Sequence, residues 1–470
     1  MTSKKQLKIR IRARMAKTGE SYTAARRHVV DRPEPRSDGG WTFHGGREPG
    51  SAAIAAVLAN QGAAISEPLV FLAGGGIGAG YILWEFKHDD SRHLVLGFRN
   101  QWQYHDRWMA KTLDRLGLAH AVHTTSGVRG AAARLTGELD AGRPCIVLPD
   151  RYHVGYWGLP ASLDGHGGHP VVVYRRDGED VLVDDRGAAP IRVPRARMDA
   201  ARARVPSYKN VMHVLDPAAA GGLGAERLAA AALEGLHDAA EHLSASSESF
   251  SLPAWRKWSR LLVDPRNAKG WPRVFADGRG LAGALLSMWE GVEPVGADGG
   301  NLRDLFADAL EEAGPLLGLP LAGLAGEFRR IHGLWHGLAE AALPLEVEEF
   351  ARMRALTARI RESLLAEGAA AGPPDGDGED GTAGGAPAES GAGPAGRADG
   401  ADEAGGIDGT GEADEAVAGA AELRELRAAV DRASPVRDQQ ALFADLSERL
   451  AEIHRAETEA AAALRDVLGR

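Results

Sequence analysis

His169-Pro-Val-Val-Val-Tyr-Arg-Arg-Asp-Gly-Glu-Asp-Val-Leu-Val-Asp-Asp185 is the stretch from which the fold of the front half follows. Val171–Tyr174 and Val181–Val183 are short runs of β-branched and aromatic residues, which favour strands. Asp177-Gly178 between them is a hairpin signal. Two adjacent antiparallel strands bring the start of the first and the end of the second together, so His169 and Asp185 become neighbours. An acid beside an imidazole orients the ring and stabilises its charged form, the base–orienter half of a nucleophilic site. By pattern alone such a pair is more often structural.

The same character extends outward over residues 40–216. Residues 51–60 read as a helix of small residues. An apolar run, Leu69 to Ala73, leads as a candidate strand into a glycine cluster at Gly74, Gly75, Gly76, Gly78 and Gly80. Tyr81–Lys87 and His93–Phe98 read as strands, Gln103–Leu116 as a helix, and Ile146–Leu148 and Ile191–Val193 as further strands. A helix followed by hairpin strands implies an α+β domain and not alternating βαβ units. Residues 225–367 are helical in pattern, with candidate helices at 225–243, 253–263, 279–290, 301–315, 322–341 and 345–367. Their tryptophans, Trp255, Trp258, Trp271, Trp289 and Trp335, are read as core.

Charge is concentrated outside these regions. Residues 368–415 contain twelve acids, one base (Arg397) and fifteen glycines, although the whole chain carries only −10. A segment so poor in apolar surface cannot offset its ordering entropy and is expected to be disordered. Residues 416–470 return to helical character, split at Ser434-Pro435, and are expected to pack on the helical domain. Residues 1–39 read as a basic helical arm. Cations near phosphate gain from counterion release, but the arm is read as a solvated or docking segment, not a nucleic-acid surface. No apolar run is long enough to span a bilayer, and the basic N-terminus lacks the pattern of a secretory signal. A single cysteine, Cys145, permits no internal disulfide, and the expectation is a cytoplasmic protein. Oligomeric state is not encoded legibly.

Other motifs are weaker. The glycine cluster fails the dinucleotide fingerprint, because GGGIGAG is out of register and a strand-like segment follows it. It is read as a close backbone approach or a ligand-lining turn. Asp164-Gly-His-Gly-Gly-His169 offers too few ligands for zinc, and His332 and His336 share a helix face without a third ligand. No metal and no cofactor are expected. Cys145, in Pro-Cys-Ile-Val-Leu, is read as a small core residue.

Gly46-Arg-Glu-Pro-Gly-Ser-Ala-Ala-Ile54, Gly62, Ser66-Glu67, Phe71-Leu-Ala-Gly-Gly-Gly-Ile-Gly-Ala-Gly-Tyr81, Gly142-Arg-Pro144, Asp150, Tyr156, His169-Pro-Val-Val-Val and Asp185 occur in that order. This series resembles the N-terminal domain of butirosin biosynthesis protein H. Leu252-Pro-Ala-Trp-Arg-Lys-Trp258, Asn267-Ala-Lys-Gly-Trp271, Gly299-Gly-Asn-Leu-Arg303 and Glu311-Glu-Ala313 resemble the uncharacterised helical domain that often follows it. The resemblance implies a papain-like, cysteine-peptidase-like α+β domain over 40–216, then an all-α domain with a disordered acidic insertion. It also implies acyl transfer from an acyl-carrier protein or acyl-CoA thioester to a small amine or peptide acceptor in secondary-metabolite or peptide-modification biosynthesis. His169 and Asp185 match the family's catalytic base and orienter. Ser51, Glu67, Gly75, Gly76, Asp150 and Tyr156 stand at positions expected to line the substrate. The family's His-Cys nucleophile pair falls on Glu48 and Pro49, and proline cannot attack a thioester. Ser51, two residues on, is the one nearby hydroxyl, but serine needs stronger activation than cysteine. Two expectations follow: acyl transfer without a cysteine or a covalent intermediate, with His169 as general base on the acceptor amine, or an inactive papain-like binding or scaffold protein.

Overall fold

The computed structural model describes residues 36–63, 65–85, 92–159, 163–217, 223–368, 410–432 and 434–469, with backbone only at 410–418 and 431–432. Most of the basic arm and of the acidic insertion lies outside the described residues. In chain order the front region comprises β1 (Ser37–Asp38), β2 (Trp41–Thr42), α1 (Pro49–Asn60), α2 (Glu67–Ala73), β3 (Ile77–Glu85), β4 (Arg92–Arg99), α3 (His105–Leu116), β5 (His120–His123), α4 (Val128–Asp140), β6 (Cys145–Val147), α5 (Arg151–Val154), β7 (Val171–Asp177), β8 (Asp180–Asp184), β9 (Ile191–Pro194), α6 (Arg195–Ala203) and β10 (Met212–Leu215). The helical region follows: α7 (Ala225–Ser244), α8 (Pro253–Val263), α9 (Trp271–Val274), α10 (Leu281–Val292), α11 (Arg303–Leu317), α12 (Ala322–Ala342), α13 (Glu348–Glu367), α14 (Thr410–Arg432) and α15 (Gln439–Leu468). Helix α14 starts inside the stretch whose composition predicts disorder up to residue 415.

The front region is an α/β unit on a six-stranded sheet, ordered β5-β10-β6-β7-β8-β9 and antiparallel at every pairing. Gly178, at φ +61°, sits in the tight β7–β8 connection, where Asp177 pairs with Asp180. Side chains alternate across a strand, and here both faces are covered. Ile146, Val172 and Leu182 join a core with α1 and α3 residues such as Ile54, Val57, Trp108 and Leu113. Val147, Val171, Val173 and Val183 face the opposite way, onto Leu135 of α4, Met198 of α6, Trp157, and Leu364 of α13. Burial on both faces explains why the strands read as continuous apolar runs.

Residues 69–73, read as a candidate strand, lie in the helix α2. Ser66 caps it by accepting a hydrogen bond from the Leu69 N–H, and Pro68 lies in the first turn, where the absent N–H costs nothing.

The β3–β4 hairpin belongs to the front region by position but is packed within the core of the helical half. Tyr81 stacks on Trp258 at 5.0 Å and its hydroxyl accepts from Trp271 Nε1 at 3.0 Å. Phe98 meets Trp255 and Trp335 at 5.6 and 4.9 Å. Gly80 and Gly97 face each other across the ladder beneath Trp102. A Cβ on either would lie 2.2 or 2.1 Å from the Trp102 indole nitrogen, so that ring fits only over glycine.

A buried ion pair ties the last helix to this hairpin. Arg303, wholly buried, donates from Nε and Nη2 to the two carboxylate oxygens of Glu457 at 2.8 and 2.9 Å. It also donates to the carbonyls of Gly78, Phe98 and Asn301. Glu457 additionally accepts from Trp335 Nε1 at 2.7 Å and Trp255 Nε1 at 3.1 Å. A buried pair is tolerable when its remaining hydrogen-bonding groups are also satisfied. No described helix is long and apolar enough to cross a membrane.

Candidate functional site

The hairpin register puts His169 and Asp185 side by side, with His169 Nε2 2.8 Å from Asp185 Oδ2. Both are almost fully buried. Asp185 Oδ2 also accepts from the Tyr156 hydroxyl at 3.0 Å and Trp157 Nε1 at 3.1 Å, and Oδ1 accepts from Arg186 Nε at 3.2 Å. Burial pushes the Asp185 carboxyl upward, but His169, Arg186 and these donors outweigh it and hold it well below the usual carboxylate range. Tyr156, expected to line a substrate, is thus a support for Asp185.

The other ring nitrogen of His169 is also occupied. Arg151 Nε donates to His169 Nδ1 at 3.0 Å. A guanidinium only donates, so Nδ1 must be the bare nitrogen and Nε2 must carry the hydrogen that meets the ionised Asp185. The partners therefore fix a neutral imidazole whose basic lone pair is already used. Burial lowers the His169 pKa, against the pull of Asp185. Arg151 in turn grips Asp298, from the loop between α10 and α11, with both terminal nitrogens, Nη1 to Oδ2 at 3.1 Å and Nη2 to Oδ1.

A second charged chain sits at the start of α1, where the resemblance led to the expectation of a nucleophile. Glu48 is the N-cap of α1, accepting from the Ser51 N–H at 2.6 Å. Its other oxygen pairs with Arg99 Nε at 3.0 Å, both groups buried. Arg99 lies over the Trp108 ring and donates from Nη2 to His105 Nδ1 at 3.1 Å. Burial and the nearby arginines hold the His105 pKa well below normal. Pro49 is the first residue of α1, a position that suits proline. It borders a narrow crevice with Ala52, Pro170, Asp185 and Arg186.

The remaining candidates are structural in their contacts. The Ser51 hydroxyl faces the Glu48 carbonyl and Glu67 Oε1, each at 3.3 Å, and not His169. Glu67 accepts from the backbone N–H of Arg47 and of Glu48, fixing the turn into α1. Gly75 and Gly76 mark close approaches: a Cβ would lie 2.5 Å from Asn100 Nδ2 and 2.6 Å from the Phe306 ring, respectively. Gly76 thereby meets α11 of the helical half, and a Cβ on Gly75 would also lie 2.7 Å from Asp238 Oδ2 of α7. Asp150 caps α5 through the N–H groups of Tyr152 and His153, and its backbone bridges Gly168, so it places both Arg151 and the approach to His169. Cys145 is buried on β6 with its thiol pushed up to about 12 by burial, unsuited to be a nucleophile.

Metal-like spacing occurs among the described residues at Asp150, His153 and Asp164. Arg204 already donates to both oxygens of Asp164 at 2.7 and 3.0 Å, which opposes a cation there. His332 and His336 turn to different partners, Asn301 and Glu293. Sequence reading missed Arg99, His105, Arg151, Arg186 and Asp298. Only Arg186, adjacent to Asp185, had a visible cue.

No curated protein matches the chain significantly. Residues 48–186 match the family model described as butirosin biosynthesis protein H, N-terminal. That span runs from the α1 cap to the arginine beside Asp185: the chain carries a butirosin biosynthesis protein H-like N-terminal domain.

Proposed function

We propose that this chain serves butirosin-type biosynthesis as a binding module on a papain-like, cysteine-peptidase-like fold, its former catalytic pair retained as structure. The observation that carries the reading is the Arg151 guanidinium on His169 Nδ1. A general base needs its lone pair within reach of the proton it removes, and here the lone pair holds Arg151. Pro49 at the nucleophile position and the Ser51 hydroxyl directed at Glu67 support the same reading. A carrier- or CoA-borne thioester and its amine acceptor are then ligands to be held, not reactants to be joined.

The test is thiol release from acyl-carrier and acyl-CoA thioesters in the presence of mixed amines, for the wild-type protein and His169→Ala. Equal, background release from both is expected. Release by the wild type that His169→Ala abolishes would overturn the reading in favour of cysteine-independent acyl transfer with His169 as base.

A further inference from the structure

Two arginine side chains and one arginine carbonyl of the front region meet one loop of the helical half. Arg151 forks onto the Asp298 carboxylate. Arg186 Nη2 donates to the Ala297 carbonyl at 2.8 Å, while its Nη1 donates to the Arg47 carbonyl at 2.8 Å. Gly299 lies against that same Arg47 carbonyl, where a Cβ would be only 2.0 Å from the oxygen. The loop thus lies across the side of His169 that Arg151 caps. Exposure differs sharply along this line: the Asp298 side chain is 50% exposed, Arg151 22% and His169 2%. Solvent meets the acid first, then the guanidinium, and the bare imidazole nitrogen last.

We propose that Arg151 and Asp298 form a latch through which the helical half controls His169, and that an anion with two fork-spaced oxygens, competing with Asp298 for Arg151, releases it. A planar guanidinium binds carboxylate and phosphate oxygens through the same pair of N–H groups, so such an anion can detach Arg151 from Asp298, and a guanidinium no longer anchored to the loop is free to carry its Nε away from His169 Nδ1. A partly exposed pair of this kind is worth about 1 kcal/mol, roughly a fivefold bias toward the capped state. The latch is weak enough for a ligand to open. This holds whether the chain performs chemistry or only binds, so it stands or falls separately from the thioester assay.

Diethyl pyrocarbonate acylates an unprotonated imidazole nitrogen, so its attack on His169 requires Nδ1 to be uncapped. Labelling is read residue by residue by peptide mass spectrometry, with exposed His237 as the reagent control and buried His213 as the control for general opening. Asp298→Ala is expected to raise His169 labelling roughly three- to fivefold, and Arg151→Leu to raise it further. Inorganic phosphate is expected to raise wild-type His169 labelling above that in chloride at equal ionic strength. Unchanged His169 labelling in both variants overturns the latch, as does equality of phosphate and chloride. A parallel rise at His213 also overturns it, because Asp298 would then be holding the fold and not the site.

Discussion

Replacing Glu457 with alanine removes the acceptor for four buried donor groups at once, two nitrogens of Arg303 and the indole N–H groups of Trp255 and Trp335. Arg303 is wholly buried, so its charge would be left without a counter-ion. Breaking a buried pair from one side costs about 3–5 kcal/mol, and each orphaned indole N–H adds about 1 kcal/mol. The sum, about 5–7 kcal/mol, is comparable with the whole stability of many domains. Urea unfolding followed by tryptophan fluorescence measures it directly, since Trp255 and Trp335 both donate to Glu457. The double replacement Arg303→Met with Glu457→Leu removes both charges and should recover only part of the loss: the uncompensated charge is gone, but the indole N–H groups of Trp255 and Trp335 and the carbonyls of Gly78, Phe98 and Asn301 are left without their partners. A loss below about 1 kcal/mol for Glu457→Ala would refute the view that this pair joins the last helix to the β3–β4 hairpin.

Burial, and secondarily His120, depresses the His213 pKa to about 4 from 6.5. Its contribution to stability is therefore full above pH 6.5 and lost as pH falls from 6.5 to about 4. That loss reaches about 3 kcal/mol, and His213→Asn should flatten the profile in denaturant titrations across this window. Pro49→Cys should yield a thiol that alkylates with an ordinary free-cysteine pH profile, because His169 is committed to Arg151. Adding Arg151→Leu should shift that profile to lower pH, and no shift would show that Arg151 is not what separates His169 from position 49. Native protein should leave Cys145 unreacted toward a chromogenic disulfide reagent until denaturant is added, and rapid native labelling would contradict its burial.

The strands around His169 and Asp185 are legible because β-branched runs and an Asp-Gly turn act locally. Helix α2 is not, since a five-residue apolar run suits a strand or a buried helix equally. Ser66 and Pro68 hold the distinction, and their signal is a cap and not a periodicity. Strands β5 and β10 are four residues each and gain their identity from each other across the chain, not from neighbouring turns. Within the site, the base–orienter pair follows from register, but its capping arginine does not. Arg151 is one arginine after an N-cap aspartate, and its partner Asp298 is 147 residues away. Gly75 and Gly76 show the converse: a glycine cluster advertises close approach, but only the fold says that Asn100 and Phe306 are among the approaching groups.

The placement of the β3–β4 hairpin bears on how this protein is handled and how its parts were joined. Phe71, Ile77, Tyr81 and Phe98 all lie between residues 48 and 186, yet the side chains that cover them come from α8, α11, α12 and other helices beyond residue 216. A fragment cut after residue 216 would present these rings to water and invite aggregation. The stretch that matches the family model thus shares its core with helices outside it, and expression trials should begin from the whole chain.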